Sequence, residues 1–258
     1  MTGAASGIGL AICRKFAQAG AKIGMLDMDE KEVLACAGEL VAEGVPALAI
    51  KCDVTSRSEC ESAIRSLIEH YGGIDVLVNN AGITQRDSFL ETRISVYHKV
   101  MEVNFFGSLY CTKAAIESLI ERKGQIIVME SIAGVAPLLG RTGYCASKHA
   151  LHGFFTTLRC EIRRFGVHVT IVCPGFIKTN LQARALGGDG RVTTHPQSTM
   201  GKPGTPEEAA QAVYESAVKR KPMVVLTPAG KLGYWISRIA PVFFERLMEG
   251  KFRSELVR

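Results

Sequence analysis

The chain begins Met1-Thr2-Gly3-Ala4-Ala5-Ser6-Gly7-Ile8-Gly9, a glycine-rich turn that leads directly into a helix predicted over Leu10–Ala19. Glycines at these spacings allow a tight turn and a close backbone approach, and the first amides of a helix favour negative charge. The next predicted strand, Lys22–Asp27, ends on a carboxylate of the kind that accepts hydrogen bonds from a ribose diol. A glycine triplet alone is equally typical of a flexible turn. With Asp27 behind it, the stretch predicts a pyrophosphate-binding turn formed by Gly3, Ser6, Gly7, Ile8 and Gly9.

Strand-like and helix-like segments alternate along the rest of the chain. Further strands are predicted over Ala47–Cys52, Ile74–Asn79, Gln125–Met129, Val167–Cys173 and Pro222–Leu226. Helices are predicted over Glu30–Glu43, Arg57–His70, Ser95–Arg122 and Tyr144–Phe165, and another is opened by Thr205-Pro206-Glu207-Glu208. This alternation predicts an α/β fold with a doubly wound parallel sheet of the Rossmann type. We expect one domain over 1–228, followed by an amphipathic tail over 229–258.

The beginning of the chain is unusual for such a sheet. A doubly wound sheet needs a strand immediately before the glycine turn, at the centre between Lys22–Asp27 and Ile74–Asn79, where this chain has only Met1-Thr2. Each apolar side chain lost from a central strand costs about 1.5–3 kcal/mol, against a total stability of about 5–15 kcal/mol. We therefore predict that the first strand is truncated and that the natural chain begins several residues earlier.

Composition excludes several classes of protein. Hydrophobic residues at 47% and charged residues at 22% argue against a disordered chain, a collagen-like fibre and a coiled coil. No apolar run reaches the roughly 18 residues of a membrane span, and no signal peptide is visible. The 31 basic and 25 acidic residues form no basic stripe, so we expect no nucleic-acid partner. The eight cysteines include no Cys-x-x-Cys pair, which favours buried free thiols in a reducing, cytoplasmic compartment.

Three residues carry the predicted chemistry. Tyr144 and Lys148 are four residues apart on one helix and so share a face. A phenol has a pKa near 10, too high for a base at neutral pH, but a nearby ammonium and a cationic nicotinamide ring favour the phenolate. Tyr144 then acts as a general acid/base, and Ser131, at the end of the preceding strand, can hydrogen-bond the same substrate oxygen. The Tyr-Lys pair alone usually marks a surface helix, whereas with Ser131 and the glycine turn it predicts catalysis.

Six motifs follow one another in a fixed order: Thr2-Gly3-x3-Gly7-x-Gly9, Asn79-Asn80-Ala81-Gly82, Asn104, Ser131, Tyr144-x3-Lys148 and Pro174-Gly175-x3-Thr179. In this combination, the chain resembles the short-chain dehydrogenase/reductase family, in its compact single-domain branch, from Thr2 to about Thr227. The resemblance implies an NAD(P)-dependent oxidoreductase acting on CH–OH groups. It also implies a homodimer or homotetramer formed through the helices Ser95–Arg122 and Tyr144–Phe165.

The resemblance further implies roles for individual residues. Asn104, Ser131, Tyr144 and Lys148 would be the catalytic set, with Asn104 holding a water-linked proton relay and Lys148 also holding the nicotinamide ribose. Pro174-Gly175 with Thr179 would hold the nicotinamide carboxamide. The implied cofactor site comprises the glycine turn together with Asp27, Asp53, Val54, Asn80, Ala81, Gly82, Tyr144, Lys148, Pro174, Gly175, Ile177 and Thr179.

The acidic residues at the strand ends bear on the choice of cofactor. Asp27 would repel a 2′-phosphate, and neither Ser6 before Gly7 nor Met28 after Asp27 is basic, so we expect NAD rather than NADP. Asp53, at the end of its strand, either contacts the adenine amino group or caps the following helix, and the sequence leaves both open.

Two features depart from the simplest interpretation. Many members of the family carry a small hydroxyl residue before the catalytic serine, whereas this chain has Glu130, whose carboxylate would raise the pKa of Tyr144 if it faced inward. The sequence leaves that orientation open. Cys145, His149 and His152 share one helix face and are zinc-ligand types. A zinc site would also need an open fourth position and a second shell, so we predict no metal.

The last third of the chain points to the substrate. The segment 180–204 resembles the family's substrate loop, which closes over the ligand. Beyond it, an apolar stripe predicts a tail that packs over the pocket, against a partner subunit or on a membrane surface. Each of these arrangements favours a lipophilic secondary alcohol or ketone of the steroid, retinoid or long-chain type. The alternative from another class is a non-catalytic nucleotide-binding sensor or scaffold of the same fold. The stripe consists of Leu232, Trp235, Ile236, Ile239, Val242, Phe243 and Leu247.

Overall fold

The computed structural model describes residues 1–195 and 197–253. Within them, parallel strands form two adjacent sheets, one with the order β1-β2 and one with the order β3-β4-β5-β6. These strands are β1 (Ile23–Asp27), β2 (Ala47–Lys51), β3 (Val76–Asn79), β4 (Gln125–Met129), β5 (His168–Cys173) and β6 (Met223–Val225). Helices connect them, which confirms the predicted α/β architecture.

Helices cover both faces of the sheets. The helices are α1 (Gly7–Gln18), α2 (Glu30–Ala42), α3 (Arg57–Tyr71), α4 (Ile94–Met101), α5 (Gly107–Glu121), α6 (Thr142–Ile162), α7 (Pro206–Val218), α8 (Pro228–Ile239) and α9 (Pro241–Phe252). In β4, Ile126 and Val128 pack in the core with α3, α5 and α6, whereas Ile127 and Met129 pack with α1 and α7. Because the central strands are buried on both sides, they read as continuous apolar runs rather than alternating ones.

The first residues of the chain pass between the two sheets. Thr2 bridges to Leu26 of β1, and its N–H donates to the carbonyl of Val78 in β3 over 3.1 Å. The carbonyl of Met1 accepts from the N–H of Leu26 over 2.9 Å. A cavity of about 380 Å³, bordered by Met1, Leu67 and Val78 among others, lies beside this segment. Met1 and Thr2 thus lie between β1 and β3, where the sequence predicts a longer first strand, and an earlier start of the natural chain stays a prediction.

Two helices differ from the sequence prediction. The helix predicted over Ser95–Arg122 is confirmed in its extent, because helical structure continues without a gap from Ile94 to Glu121, but a π-helix, Glu102–Phe106, separates α4 from α5. The wider π turn brings Asn104, fully buried, beneath the loop that follows β3. The tail forms two helices, α8 and α9, with the break at Pro241, since proline cannot continue a helix. No described helix combines the length and apolar character that a membrane span needs.

Candidate active site

A cavity of about 1210 Å³ opens at the carboxyl ends of the strands, where ligands bind in doubly wound folds. Most of the predicted site residues form its wall: Gly3, Ser6, Gly7, Ile8, Asp27, Asp53, Val54, Asn80, Ala81, Gly82, Ser131, Tyr144, Lys148, Pro174, Gly175, Ile177 and Thr179. Gly9 and Asn104 lie behind this wall rather than on it. The tertiary structure thus brings together residues from both halves of the chain.

The glycine turn is held tightly against the end of β3. Gly3 and Gly7 have φ values of 62° and 54°, in the left-handed region that favours glycine. A side chain at Gly9 would collide with the carbonyl oxygen of Gly3, so the third glycine allows α1 to pack onto the turn. The Asn80 amide nitrogen donates to the carbonyls of Thr2 and Gly3 over 3.1 and 3.0 Å. Because the first N–H groups of a helix lack intrahelical acceptors, the turn leaves donors at the cavity wall.

The two strand-end aspartates are used differently. The Asp27 carboxylate accepts from the N–H groups of Ala5 (3.0 Å) and Asp29 (3.2 Å), which fixes it beside the glycine turn. One oxygen of Asp53 accepts from both the N–H and the hydroxyl of Thr55, each over 2.9 Å. The N-cap of α3 is Ser56, not Asp53. Asp53 therefore shapes the turn before α3 and also borders the cavity.

Tyr144, Lys148 and Ser131 meet on the cavity wall. The Lys148 Nζ lies 5.6 Å from the centre of the Tyr144 ring and donates to the carbonyl of Met129 over 2.8 Å. Burial raises the pKa of Tyr144 to about 12, while the Ser131 hydrogen bond acts in the opposite direction. Burial also lowers the pKa of Lys148 to about 8, against the attraction of the Glu130 carboxylate. Near neutral pH the protein's own groups therefore favour the protonated phenol rather than the phenolate that the sequence predicts, because burial outweighs the nearby ammonium, and the lysine is largely charged.

Gln85, which the sequence analysis missed, positions the start of the catalytic helix. It is fully buried, and its side-chain oxygen accepts from the Tyr144 N–H over 2.8 Å. Tyr144 is in the first turn of α6, and the N-cap residue, Arg141, makes no side-chain capping bond of its own. Gln85, which lies in a loop distant in sequence, therefore caps the start of α6. No local sequence signal marks such a residue, because the partners are 59 positions apart.

Asn104 holds the neighbouring loop. Its side-chain oxygen accepts from the N–H of Ile83 over 2.8 Å, and its nitrogen donates to the Ile83 carbonyl (3.0 Å) and the Ser147 hydroxyl (2.8 Å). Both ends of the amide are thus occupied by the protein. The side chain fastens the end of β3 to α6, beneath the wall that carries Tyr144.

The Glu130 carboxylate contacts side chains of α6 and β5. One carboxylate oxygen lies 3.0 Å from Nδ1 of His152, and the other accepts from the Cys173 thiol over 2.9 Å. The side chain therefore turns toward α6 and β5. His149 instead contacts the carbonyl of Cys145 over 2.9 Å. Across residues 1–195 and 197–253, no three His, Cys, Asp or Glu side chains converge as a metal site requires.

Leu186 anchors one part of the predicted substrate loop, and Pro196 of that loop lies outside the described residues. Leu186 is buried, bridges to both Gln85 and Val192, and its carbonyl accepts from the Arg86 N–H over 2.7 Å. Next to this loop, α9 closes the outer end of the cavity with Phe244 and Met248, both buried. This end of the cavity is consequently apolar.

Comparisons with known proteins agree with this geometry. The family model described as short chain dehydrogenase matches residues 1–187. Dehydrogenase/reductase SDR family member 7B of Bos taurus is 33% identical over 99% of this chain and 81% of its own length. Dehydrogenase/reductase SDR family protein 7-like of Anopheles gambiae is 31% identical over 96% of this chain and 81% of its own length.

Solved structures show the same fold. A short-chain dehydrogenase from Streptomyces avermitilis superposes with a TM-score of 0.81 at 28% identity, covering 98% of this chain and 96% of that one. A short chain dehydrogenase/reductase from Burkholderia phymatum, solved in complex with NAD, gives a TM-score of 0.83 at 23% identity, covering 94% and 93%.

Proposed function

Because this chain belongs to the short-chain dehydrogenase family of oxidoreductases, we propose that it transfers a hydride between NAD(H) and a lipophilic secondary alcohol or ketone. The observation that carries the proposal is the meeting of Ser131, Tyr144 and Lys148 on the wall of one cavity that also contains the glycine turn. A scaffold without activity would have no use for that convergence.

The cavity fits a dinucleotide. Its glycine turn has backbone donors for a pyrophosphate, and Gly7 leaves space beside Thr179, to which a Cβ on Gly7 would approach within 3.3 Å. Asp27 is placed for a ribose diol, and Asp29 and Glu30 border the same part of the wall. Three carboxylates there disfavour a 2′-phosphate, which supports NAD over NADP. When bound, the nicotinamide supplies or accepts the hydride.

Tyr144, assisted by Ser131 and Lys148, transfers the proton. Tyr144, protonated near neutral pH because burial raises its pKa to about 12, donates from its phenol oxygen to the oxygen of a bound ketone. The Ser131 hydroxyl, hydrogen-bonded to that phenol, stabilises charge on the same substrate oxygen. The Lys148 ammonium stabilises the resulting phenolate. In the oxidation direction, the same groups act in reverse order.

The outer end of the cavity supports a lipophilic substrate. Ile132, Leu138, Phe176, Met200, Phe244 and Met248 form the wall there. Apolar side chains gain free energy when they exclude water with an apolar ligand, at about 25 cal/mol per Å². A steroid, retinoid or long-chain alcohol would gain most from such a wall, and a sugar alcohol least.

Steady-state turnover tests the proposal. NADH formation is measured with a panel of steroid, long-chain and sugar alcohols, each with NAD and with NADP, and with Tyr144→Phe as the control. We expect selective turnover of lipophilic alcohols with NAD, and a loss of about 10²–10⁴-fold in the control because the general acid/base is gone. Selective turnover of sugar alcohols would refute the substrate class. Binding of NADH without any turnover would favour the non-catalytic sensor.

The outer face of the tail supports contact with a membrane surface. Leu232, Trp235, Ile239, Val242 and Phe243 are all more than half exposed on α8 and α9. Lys231 and Arg238 are the charged residues of α8, and both are basic, which suits the anionic lipids of a cytoplasmic leaflet. We propose that α8 and α9 rest on such a surface beside the cavity mouth, which would give a lipophilic substrate a short path.

The single tryptophan, Trp235, reports on this contact. Phosphatidylserine vesicles should shift its fluorescence to shorter wavelength and sediment the protein, whereas phosphatidylcholine vesicles should do so less. Phe243→Ser should weaken vesicle binding. Unchanged fluorescence with both lipids would contradict the membrane contact.

We also propose that the protein is a homodimer or homotetramer formed through the helical stretch of α4, the π-helix and α5, and through α6. A partly exposed group of aromatic rings supports this: Phe105 contacts Phe106 and Phe154 with centroid distances of 5.2 and 5.7 Å. Sedimentation equilibrium measures the mass directly, and a monomer at micromolar concentration would contradict the proposal.

A further inference from the structure

Glu130 is buried in the fold with specific partners for its carboxylate. Its side chain is fully buried, and its two oxygens contact His152 and Cys173 over 3.0 and 2.9 Å. A side chain at Gly134 would collide with the carboxylate, so the glycine makes room for it. An ionised carboxylate in such a place requires hydrogen-bond donors and compensating charge, and the surrounding residues supply both.

The partner of Glu130 stands on the catalytic helix. Tyr144, Lys148 and His152 follow one another at intervals of four residues, so they form one row along α6. This row faces the end of β4. His152 is 23% exposed in its side chain, at the end of the row away from the cavity, while Lys148 and Tyr144 are buried.

Three consecutive residues at the end of β4 contact the three members of this row. Ser131 lies close enough to the Tyr144 phenol to lower its pKa, the carbonyl of Met129 accepts from Lys148 over 2.8 Å, and the carboxylate of Glu130 lies 3.0 Å from Nδ1 of His152. The outermost contact, between Glu130 and His152, joins two side chains and therefore fixes how β4 and α6 are aligned. A shift of that alignment would separate Ser131 from Tyr144.

Charge adds a second effect. Glu130, from the end of β4, raises the pKa of the Lys148 ammonium against the effect of burial, whereas Cys173 of β5 faces the same place as a neutral thiol, because burial raises its pKa. The Glu130 carboxylate also raises the pKa of Tyr144, on which Cys145 acts in the same direction and Arg141 in the opposite one. The negative charge of Glu130 thus stabilises the charged form of Lys148 and also favours the neutral form of Tyr144.

We propose that Glu130 and His152 are positioning residues, whose pair aligns Ser131 with Tyr144 and supplies the negative charge that balances the Lys148 ammonium. The proposal rests on the proposed function, because it assigns the pair to the same proton-transferring site. It explains why a carboxylate occupies a position where the family resemblance leads one to expect a small hydroxyl.

Turnover as a function of pH tests the pair. Glu130→Gln keeps the shape and removes the charge. Its kcat should fall about tenfold with KM for NAD within twofold, and its pH profile should move to lower pH by at least about 0.5 unit. Both limbs should move, because Tyr144 and Lys148 each lose the carboxylate that raises their pKa. A purely structural role would not move the profile.

His152→Gln tests the alignment separately, since the side chain is partly exposed and the variant is expected to fold. It should also lower kcat, whereas His149→Gln, a substitution on the same helix outside the row, should match the wild type. If kcat and the profile of Glu130→Gln and His152→Gln all stay within twofold and about 0.2 pH unit of the wild type, the proposal is overturned.

A measurement without turnover separates this proposal from the proposed function. The ¹³Cε signal of Lys148, assigned with Lys148→Arg, should titrate near pH 8 in the wild type and at least about 0.5 pH unit lower in Glu130→Gln. That shift in an enzyme that oxidises no alcohol of the panel would support the pair and refute the function. Turnover with no shift and unchanged kcat would refute the pair and support the function.

Discussion

Replacing Lys148 by methionine should change how the free energy of unfolding depends on pH. Burial lowers the pKa of Lys148 from 10.5 to about 8, so between these values the unfolded chain binds the proton more tightly than the folded protein. The folded state therefore loses stability as pH falls from about 10.5 to about 8, and regains it over the same range as pH rises. At 1.36 kcal/mol per pH unit, the full difference corresponds to about 3 kcal/mol. At pH 7 nearly the whole difference destabilises the folded state. At pH 9.5 this destabilisation is smaller by about 2 kcal/mol.

Urea unfolding of the wild type and Lys148→Met, at about pH 7 and about pH 9.5, measures this effect, because the titrations that both proteins share cancel in the difference. The wild type should gain about 2 kcal/mol relative to the variant at the higher pH. Lys113→Met removes an exposed lysine of α5 and is the matched control, with an expected change of about 0.5 kcal/mol or less at both pH values. A Lys148→Met difference that is the same at both pH values would refute the reasoning.

Three further predictions concern other parts of the site. Asp27→Ser should raise kcat/KM for NADP relative to NAD about tenfold or more, because the carboxylate no longer repels a 2′-phosphate; an unchanged ratio in steady-state assays would contradict its role. Gln85→Leu should lower the free energy of unfolding by about 1–3 kcal/mol, since the buried Tyr144 N–H loses its acceptor. Urea denaturation measures this change, and an unchanged free energy of unfolding would contradict the role of Gln85. Phe244→Ala should cost about 3–5 kcal/mol and speed hydrogen exchange in α9, whereas Phe243→Ala, at an exposed neighbour, should leave that exchange unchanged.

Elements with strong local signals were predicted well. β4 spans Gln125–Met129, as predicted, because a short apolar run between polar residues has few alternatives. The start of α7 is also as predicted: Thr205 and Glu208 form a reciprocal capping box, with Pro206 in the first turn. These features depend on residues within one turn of each other, so the local sequence contains the necessary information.

The π-helix at Glu102–Phe106 had no such signal. Its residues fit an ordinary helical pattern, and the extra residue in the turn is held by contacts of Asn104 with Ile83 and Ser147, which are distant in sequence. The capping of α6 by Gln85 has the same origin. In both cases, a side chain from one segment satisfies the backbone or side chain of another, which only the packed structure can bring together.

The family, the fold class and most of the motif residues that reach the cavity wall follow from the sequence, because motif spacing and hydrophobic period can be recognised without any knowledge of packing. Only the tertiary structure decides which way Glu130 turns, that His152 holds it, and that α9 closes the apolar end of the cavity together with Met200 of the substrate loop. The physical reason is that the direction of a buried side chain depends on the partners that satisfy its charge and hydrogen bonds, and those partners come from elements far apart along the chain.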